Sequence, residues 1–184
     1  MDKKLFFKLY RKYLDKDHKL TQREVDALEF FIDKMVRVKS FFTVPQWAYV
    51  MATTFHETAH TFEPVREAFH LSENWRKRNL RYYPYYGRGY VQLTWDYNYE
   101  RYQKILDQPL LSRPDLAMQP ETSFNILVHG MKHGVFTGKK LSDYVNENRK
   151  RYDLARYVIN GRDKRDLIAK YAEMFEYILN KTMQ

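Results

Sequence analysis

Residues 53–61 read Thr-Thr-Phe-His-Glu-Thr-Ala-His-Thr, and two chemistries fit them. His56, Glu57 and His60 satisfy H-E-x-x-H, which on an α-helix turns two imidazoles to one face to hold zinc while the glutamate activates the bound water. A catalytic zinc needs a third protein ligand, and the extended pattern asks for glycine and histidine where Glu63 and Arg66 stand. A glutamate ligand from a following helix is the other route, opposed by Pro64 and by the loop-like surroundings of Glu67 and Glu73. The second chemistry uses Glu57 as an acid. Phe55 and Ala59 fall on the apolar side of the helix and Glu57 shares a sector with Thr54 and Thr61, so a carboxyl emerges from the polar side of an otherwise buried element. So placed, it can protonate a leaving sugar oxygen. A second carboxylate must then activate water from the opposite face of the sugar, roughly 6.5–9.5 Å away in an inverting enzyme. Glu63, Glu67 and Glu73 all lie close enough along the chain to supply it.

The elements that must position these groups read as mainly helical. Leu5, Phe6, Leu9, Tyr10 and Tyr13 recur at helical spacing, and Thr21-Gln22-Arg23-Glu24 forms a capping box opening a helix whose buried face is Val25, Leu28, Ile32, Met35 and Val36. A third helix starts near Thr43-Val44-Pro45 and carries His56 and Glu57 toward Ala59, with Pro64 ending it. From Phe69 to Thr94 helical period is lost, which predicts a long loop feeding a small β element at the alternating run Tyr90–Thr94. Helices resume after Asp96, from Glu121 to about His133 with Gly134 as C-cap, up to Asn160-Gly161, and through Leu167–Ile178. This order, helices with a small β excursion after the acid-bearing helix, predicts a lysozyme-like helical domain over 1–184 with no separate wall-binding domain.

Composition narrows the classes. With 184 residues, 16 Tyr and 12 Phe against 6 Gly and 6 Pro, the chain can bury one real core. It has no cysteine, which removes disulfides, thiolate metal sites and cysteine nucleophiles. Lys8, Arg11 and Lys12 interrupt the apolar positions of the N-terminus, so no signal-peptide core forms, and no run is long enough to span a membrane. A net charge of +9 favours an anionic partner such as nucleic acid, an anionic envelope surface or an acidic wall polymer. The basic residues form no nucleic-acid-binding motif.

His56-Glu57-Thr58, Tyr86-Gly87-Arg88-Gly89 followed by Val91-Gln92-Leu93-Thr94, then Tyr97-Asn98-Tyr99 and Ile159-Asn160-Gly161 occur in this order along the chain. Together they resemble glycoside hydrolase family 19, the plant-type chitinases and a branch of bacteriophage endolysins, and the resemblance covers essentially the whole chain. Tyr90, where chitinases usually carry proline, inclines it to the phage branch. The resemblance implies Glu57 as general acid, Glu67 of PVREAF as the base, and Thr94 holding the water. It implies Gln92, Tyr97, Asn98, Asn160, Tyr86 and Arg88 along a sugar cleft, with His56 beside the acid. It gives His60 no role and implies no metal or organic cofactor. The protein expected on this resemblance is a monomeric endolysin. It would cleave the β-1,4 bond between N-acetylmuramic acid and N-acetylglucosamine in peptidoglycan and wait in the host cytoplasm for release to the wall. A chitin-cleaving glycosidase, a zinc peptidase or amidase, and a wall-binding module without catalysis are the alternatives. Tyr82, Tyr83 and Tyr85 fit either sugar stacking or packing.

Overall fold

The computed structural model describes residues 1–15 and 19–183, so the domain expected over 1–184 is described except at 16–18 and 184. Helix α1 (Lys3–Tyr13) buries Phe6 and Tyr10, and α2 (Gln22–Arg37) opens on the expected capping box, Thr21 with Glu24. Helix α3 (Val44–Glu57) is buried nearly all round from Gln46 to Phe55, as an apolar helix at a domain centre must be. It packs chiefly against the last helix, α8 (Arg165–Thr182). Phe6, Tyr10, Phe31, Trp47, Phe55, Phe62 and Phe175 join these helices in the larger core.

Proline does not end α3. The helix stops at Glu57, and fully buried Thr58 closes it: its hydroxyl donates to the Thr54 carbonyl at 2.8 Å and accepts the Phe62 N–H at 3.0 Å. Ala59, His60 and Phe62 then take left-handed conformations with φ of 50°, 76° and 57°. Pro64 lies beyond this turn. Threonine chemistry thus places Glu57 in the final turn.

The region expected as one long loop contains α4 (Glu73–Asn79), capped by the Ser72 hydroxyl on the Trp75 N–H. Its seven residues are too few, and their outer face too charged, for a period to show. The β element also differs from expectation. Strands β1 (Val65–Arg66) and β2 (Arg88–Gly89) pair antiparallel, with Val65 opposite Gly89 and Arg66 opposite Arg88. Tyr90–Thr94 is a turn folded back so that Arg88 bridges Leu93, with Gln92 at φ 54°. Gly89 sits at φ 85°, where a Cβ would meet the Ser123 hydroxyl at 2.6 Å; only glycine lets this turn lie against the helix below.

That helix is α6 (Pro120–His133), ending on Gly134 at φ 72° as expected. With α5 (Asp96–Leu106) it builds a second, smaller core of Leu93, Tyr99, Tyr102, Leu110, Ala117 and Ile126. Short strands β3 (Val145–Asn146) and β4 (Arg149–Lys150), which the sequence pattern does not disclose, lead to the one-turn helix α7 (Tyr152–Ala155). Among the described residues no helix is long and apolar enough to cross a membrane.

An ion network braces the smaller core. Asp115 accepts a two-pronged contact from Arg66 at 2.7 and 2.9 Å and a third from Arg88 at 2.8 Å. Arg66 foremost, then Arg88, hold its carboxyl below the usual carboxylate range. Because the folded state binds this proton less readily than the unfolded chain, the stabilisation is complete above the unfolded pKa of about 3.9 and disappears as pH falls through the folded value. Asp115→Asn should therefore melt below wild type at neutral pH, and the two melting curves should converge in acid, once pH has fallen below the folded value. Parallel thermal melts across pH measure it. A gap that stayed constant into acid would show that the charge on Asp115 is not the cause.

Candidate active site

The sequence-predicted residues fall into two constellations. The first surrounds Glu57. Glu57 Oε1 accepts a hydrogen bond at 2.6 Å from Nη1 of Arg156, which is 3% exposed and fixed in turn by Nε donating to the Asp163 carbonyl at 3.1 Å. Among the described residues no protein donor meets the other oxygen, Oε2, and the side chain keeps 20% of its exposure. A carboxyl gripped at one oxygen and open at the other is oriented for proton donation. Burial, with Arg156 adding to it, lowers the pKa of half-buried His56 although Glu57 opposes this, so at neutral pH a neutral imidazole stands beside the acid. Asn160 donates its backbone N–H to the Arg156 carbonyl at 2.9 Å, which places it on the same turn with its side chain at the surface. An open groove of about 570 Å³ runs beside Asn160 and Gly161, lined also by Tyr144, Tyr157 and Lys139.

The second constellation surrounds Glu67. Its Oε1 accepts from the Tyr82 hydroxyl at 2.5 Å and its Oε2 from the Gly87 N–H at 2.9 Å, while its own N–H donates to the Gly87 carbonyl at 2.7 Å. Two donors hold the carboxylate without a cation, leaving lone pairs for a water. The rival carboxylates are otherwise engaged: Glu63 pairs with Arg23, and Glu73 accepts from Arg76 at 3.2 Å and from the Tyr86 hydroxyl at 3.0 Å. Gln92 donates to the carbonyls of Val65 at 2.9 Å and Gly89 at 3.3 Å, tying both strands to the turn. The Thr94 hydroxyl donates to the Gln92 carbonyl at 2.7 Å, so toward a water it can only accept, the polarity needed to orient a nucleophilic water. Asn98 donates to the Thr94 carbonyl at 2.8 Å, and Tyr97 is 56% exposed with its ring stacked along Trp95.

Two predicted cleft residues sit elsewhere. Arg88 is 3% exposed, its guanidinium lies 3.6 Å from the Tyr86 ring centre, and its N–H groups are taken by Asp115, the Pro84 and Tyr86 carbonyls and the Tyr99 hydroxyl. Tyr86 is fully buried, its hydroxyl held between Arg66 and Glu73. Both brace the loop that carries Gly87 and have no surface to offer a sugar.

His60 does not complete a helical H-E-x-x-H pair. It lies past the end of α3 at φ 76°, its ring lies flat on Phe55 at 3.9 Å, and its Nε2 faces the Tyr171 hydroxyl at 3.4 Å. The helical spacing on which the zinc motif depends is absent. An apolar cavity of about 590 Å³ behind α2, lined by Phe30, Phe62, Pro64 and Tyr90, includes the rival carboxylate Glu63 but neither Glu57 nor Glu67, so concavity alone does not find these two carboxyls.

Sequence reasoning missed Arg156 and the grip of Tyr82 on Glu67. Arg156 sits in a strongly basic stretch where one more arginine reads as solvated surface, and only its burial distinguishes it. Tyr82→Phe removes one of the two donors on Glu67 and should lower kcat roughly tenfold with little change in KM, since a hydrogen bond to a charged group contributes about 1.5–3 kcal/mol. Steady-state kinetics on a soluble oligosaccharide read this out. An unchanged kcat would mean that the hydroxyl does not position Glu67 for a role in the reaction.

A helical domain with a small antiparallel ribbon after the helix that bears Glu57 defines a lysozyme-like fold. The family model described as chitinase class I matches residues 16–131, and the chain belongs to glycoside hydrolase family 19. It is 51% identical to the endochitinase At2g43620 of Arabidopsis thaliana over 41 residues, 22% of this chain and 14% of that one. It is 37% identical to the basic endochitinase CHB4 of Brassica napus over 73 residues, 36% of this chain and 27% of that one. The matches thus span well under a third of these relatives. In fold it is similar to chitinase C from Streptomyces griseus HUT6037, with a TM-score of 0.58 at 18% identity, covering 96% of this chain and 75% of that one.

Proposed function

We propose that the chain hydrolyses β-1,4-linked glycans of N-acetylhexosamines by general acid–base catalysis. Glu57 protonates the leaving oxygen through Oε2, Arg156 keeps that carboxyl turned, Glu67 takes one proton from water, and the Thr94 oxygen accepts a hydrogen bond from the O–H that the water keeps. The observation that carries this reading is the difference between the two carboxyls, one gripped by an arginine at a single oxygen and one cradled by two neutral donors. Family membership adds to it. The relatives' names, endochitinases and a chitinase, support chitin-type N-acetylglucosamine polymers as the substrate.

A second reading, a muramidase acting on peptidoglycan as a phage endolysin does, is favoured by the net charge of +9 toward an anionic wall and by Tyr90 after the Gly-Arg-Gly turn. Chitin oligosaccharides and purified sacculi digested in parallel, with mass spectrometry of the new reducing ends, separate the two. Cleavage of oligosaccharides alone supports the chitinase reading, and N-acetylmuramic acid at new reducing ends supports the muramidase. Binding to either glycan with no new reducing ends overturns hydrolysis altogether. Activity should be unchanged in EDTA; its loss there, with recovery on adding zinc, would revive the peptidase or amidase alternative.

A further inference from the structure

The chain holds a second H-x3-H spacing, His129-Gly130-Met131-Lys132-His133, and unlike His56–His60 it lies wholly on a helix. His129 and His133 are one turn apart on α6, ring centres 4.5 Å apart and planes inclined by 37°. We propose that these two imidazoles form a bidentate site for a divalent transition-metal cation, in the order copper(II), then nickel(II), then zinc(II).

Geometry carries the proposal. A ligating imidazole nitrogen lies about 2.0–2.1 Å from the metal, which puts each ring centre about 3.2 Å from it. Two such rings in cis positions, about 90° apart, have centres about 4.5 Å apart, while a tetrahedral angle requires about 5.2 Å. The observed 4.5 Å matches cis ligands of a square-planar or octahedral ion. The described residues contain no group of three His, Cys, Asp or Glu side chains able to share a metal, so water fills the remaining positions.

The surroundings favour a cation on this turn. His133 is the last residue of α6, where the helix dipole is negative. Lys132, between the two histidines, is drawn away over the Phe41 ring at 4.2 Å. The Tyr102 ring stands edge-on to His129 at 5.7 Å, and Arg101 on α5 is committed to the Val135 carbonyl at 3.2 Å. His129 buries its Nδ1 without a protein partner, so Nε2 is the nitrogen assigned to the metal in this proposal. Bound there, a metal would clip the final turn of the helix shared by both cores.

Isothermal titration of the full chain with each metal chloride at pH 7.5 tests this. Wild type should show a single strongest site with affinity in the stated order. Exposed His133→Ala should weaken it at least about tenfold, as losing one of two ligands requires. His60→Ala, which breaks the other spacing, should leave it unchanged. Nickel should also raise the melting temperature of wild type and not of His133→Ala, because a ligand that binds only the folded state stabilises it. Equal affinity in wild type and His133→Ala overturns the site, as does loss of binding in His60→Ala.

Discussion

If the proposed mechanism holds, Glu57→Gln should lower kcat on the substrate glycan by about 10²–10⁴-fold, the contribution of a positioned general acid. The amide keeps an oxygen for Arg156 to hold at the place of Oε1, so the turn that also carries Asn160 should stay in position. Replacing a carboxylate by an amide beside a buried guanidinium costs roughly 1–3 kcal/mol of stability, which a melt detects and a folded protein survives. The loss should therefore appear in kcat with KM nearly unchanged. It should shrink sharply on a substrate with an activated aryl leaving group, whose departure needs no proton. A variant equally slow on both substrates would remove Glu57 from the role of acid.

Glu67→Gln gives a comparable loss, about 10²–10⁴-fold, with the opposite dependence on leaving group. Water must still be deprotonated whatever departs, so the activated substrate should not rescue it. The amide can accept from Tyr82 through oxygen but presents nitrogen to the Gly87 N–H, so the strand-to-turn contact loosens as the base is lost. Glu63→Gln and Glu73→Gln serve as controls. Their carboxylates are engaged by Arg23 and by Arg76 with Tyr86, away from the proposed water, and each should change kcat less than about threefold, the scale of a partly exposed ion pair. If either control matched Glu67→Gln, the second carboxylate would have been misassigned.

The amphipathic elements were legible in the sequence because their information is local. The capping box at Thr21–Glu24, the spacing through α1, α2 and α8, and Gly134 as a C-cap each require only neighbours along the chain. Where the sequence misled, unusual turn geometry or long-range contacts decided. The end of α3 is set by Thr58 bonding within a turn of left-handed residues, a geometry that glycine usually announces and that here forms without one. Tyr90–Thr94 alternates like a strand but folds back, because Gln92 and Ser123 supply the hydrogen bonds that a ladder would otherwise give. Tyr86 and Arg88 carry residue types suited to sugar contact, and only their burial reveals that they brace the loop. Arg156 is 99 residues from Glu57 in sequence, and no local pattern links the two. Of the two H-x3-H spacings, the one with a glutamate drew attention, while the structure gives helical geometry to the other.

At the heart of the proposed mechanism, Glu67 activates a water that attacks the sugar directly. Proton NMR of the first product formed by wild-type protein from a β-linked oligosaccharide, recorded before mutarotation, tests it. Attack by water from the face opposite the leaving group predicts the α-anomer as the initial product. An initial β-anomer would be incompatible with this mechanism, because it requires a covalent or substrate-assisted intermediate in place of the water held by Glu67 and Thr94.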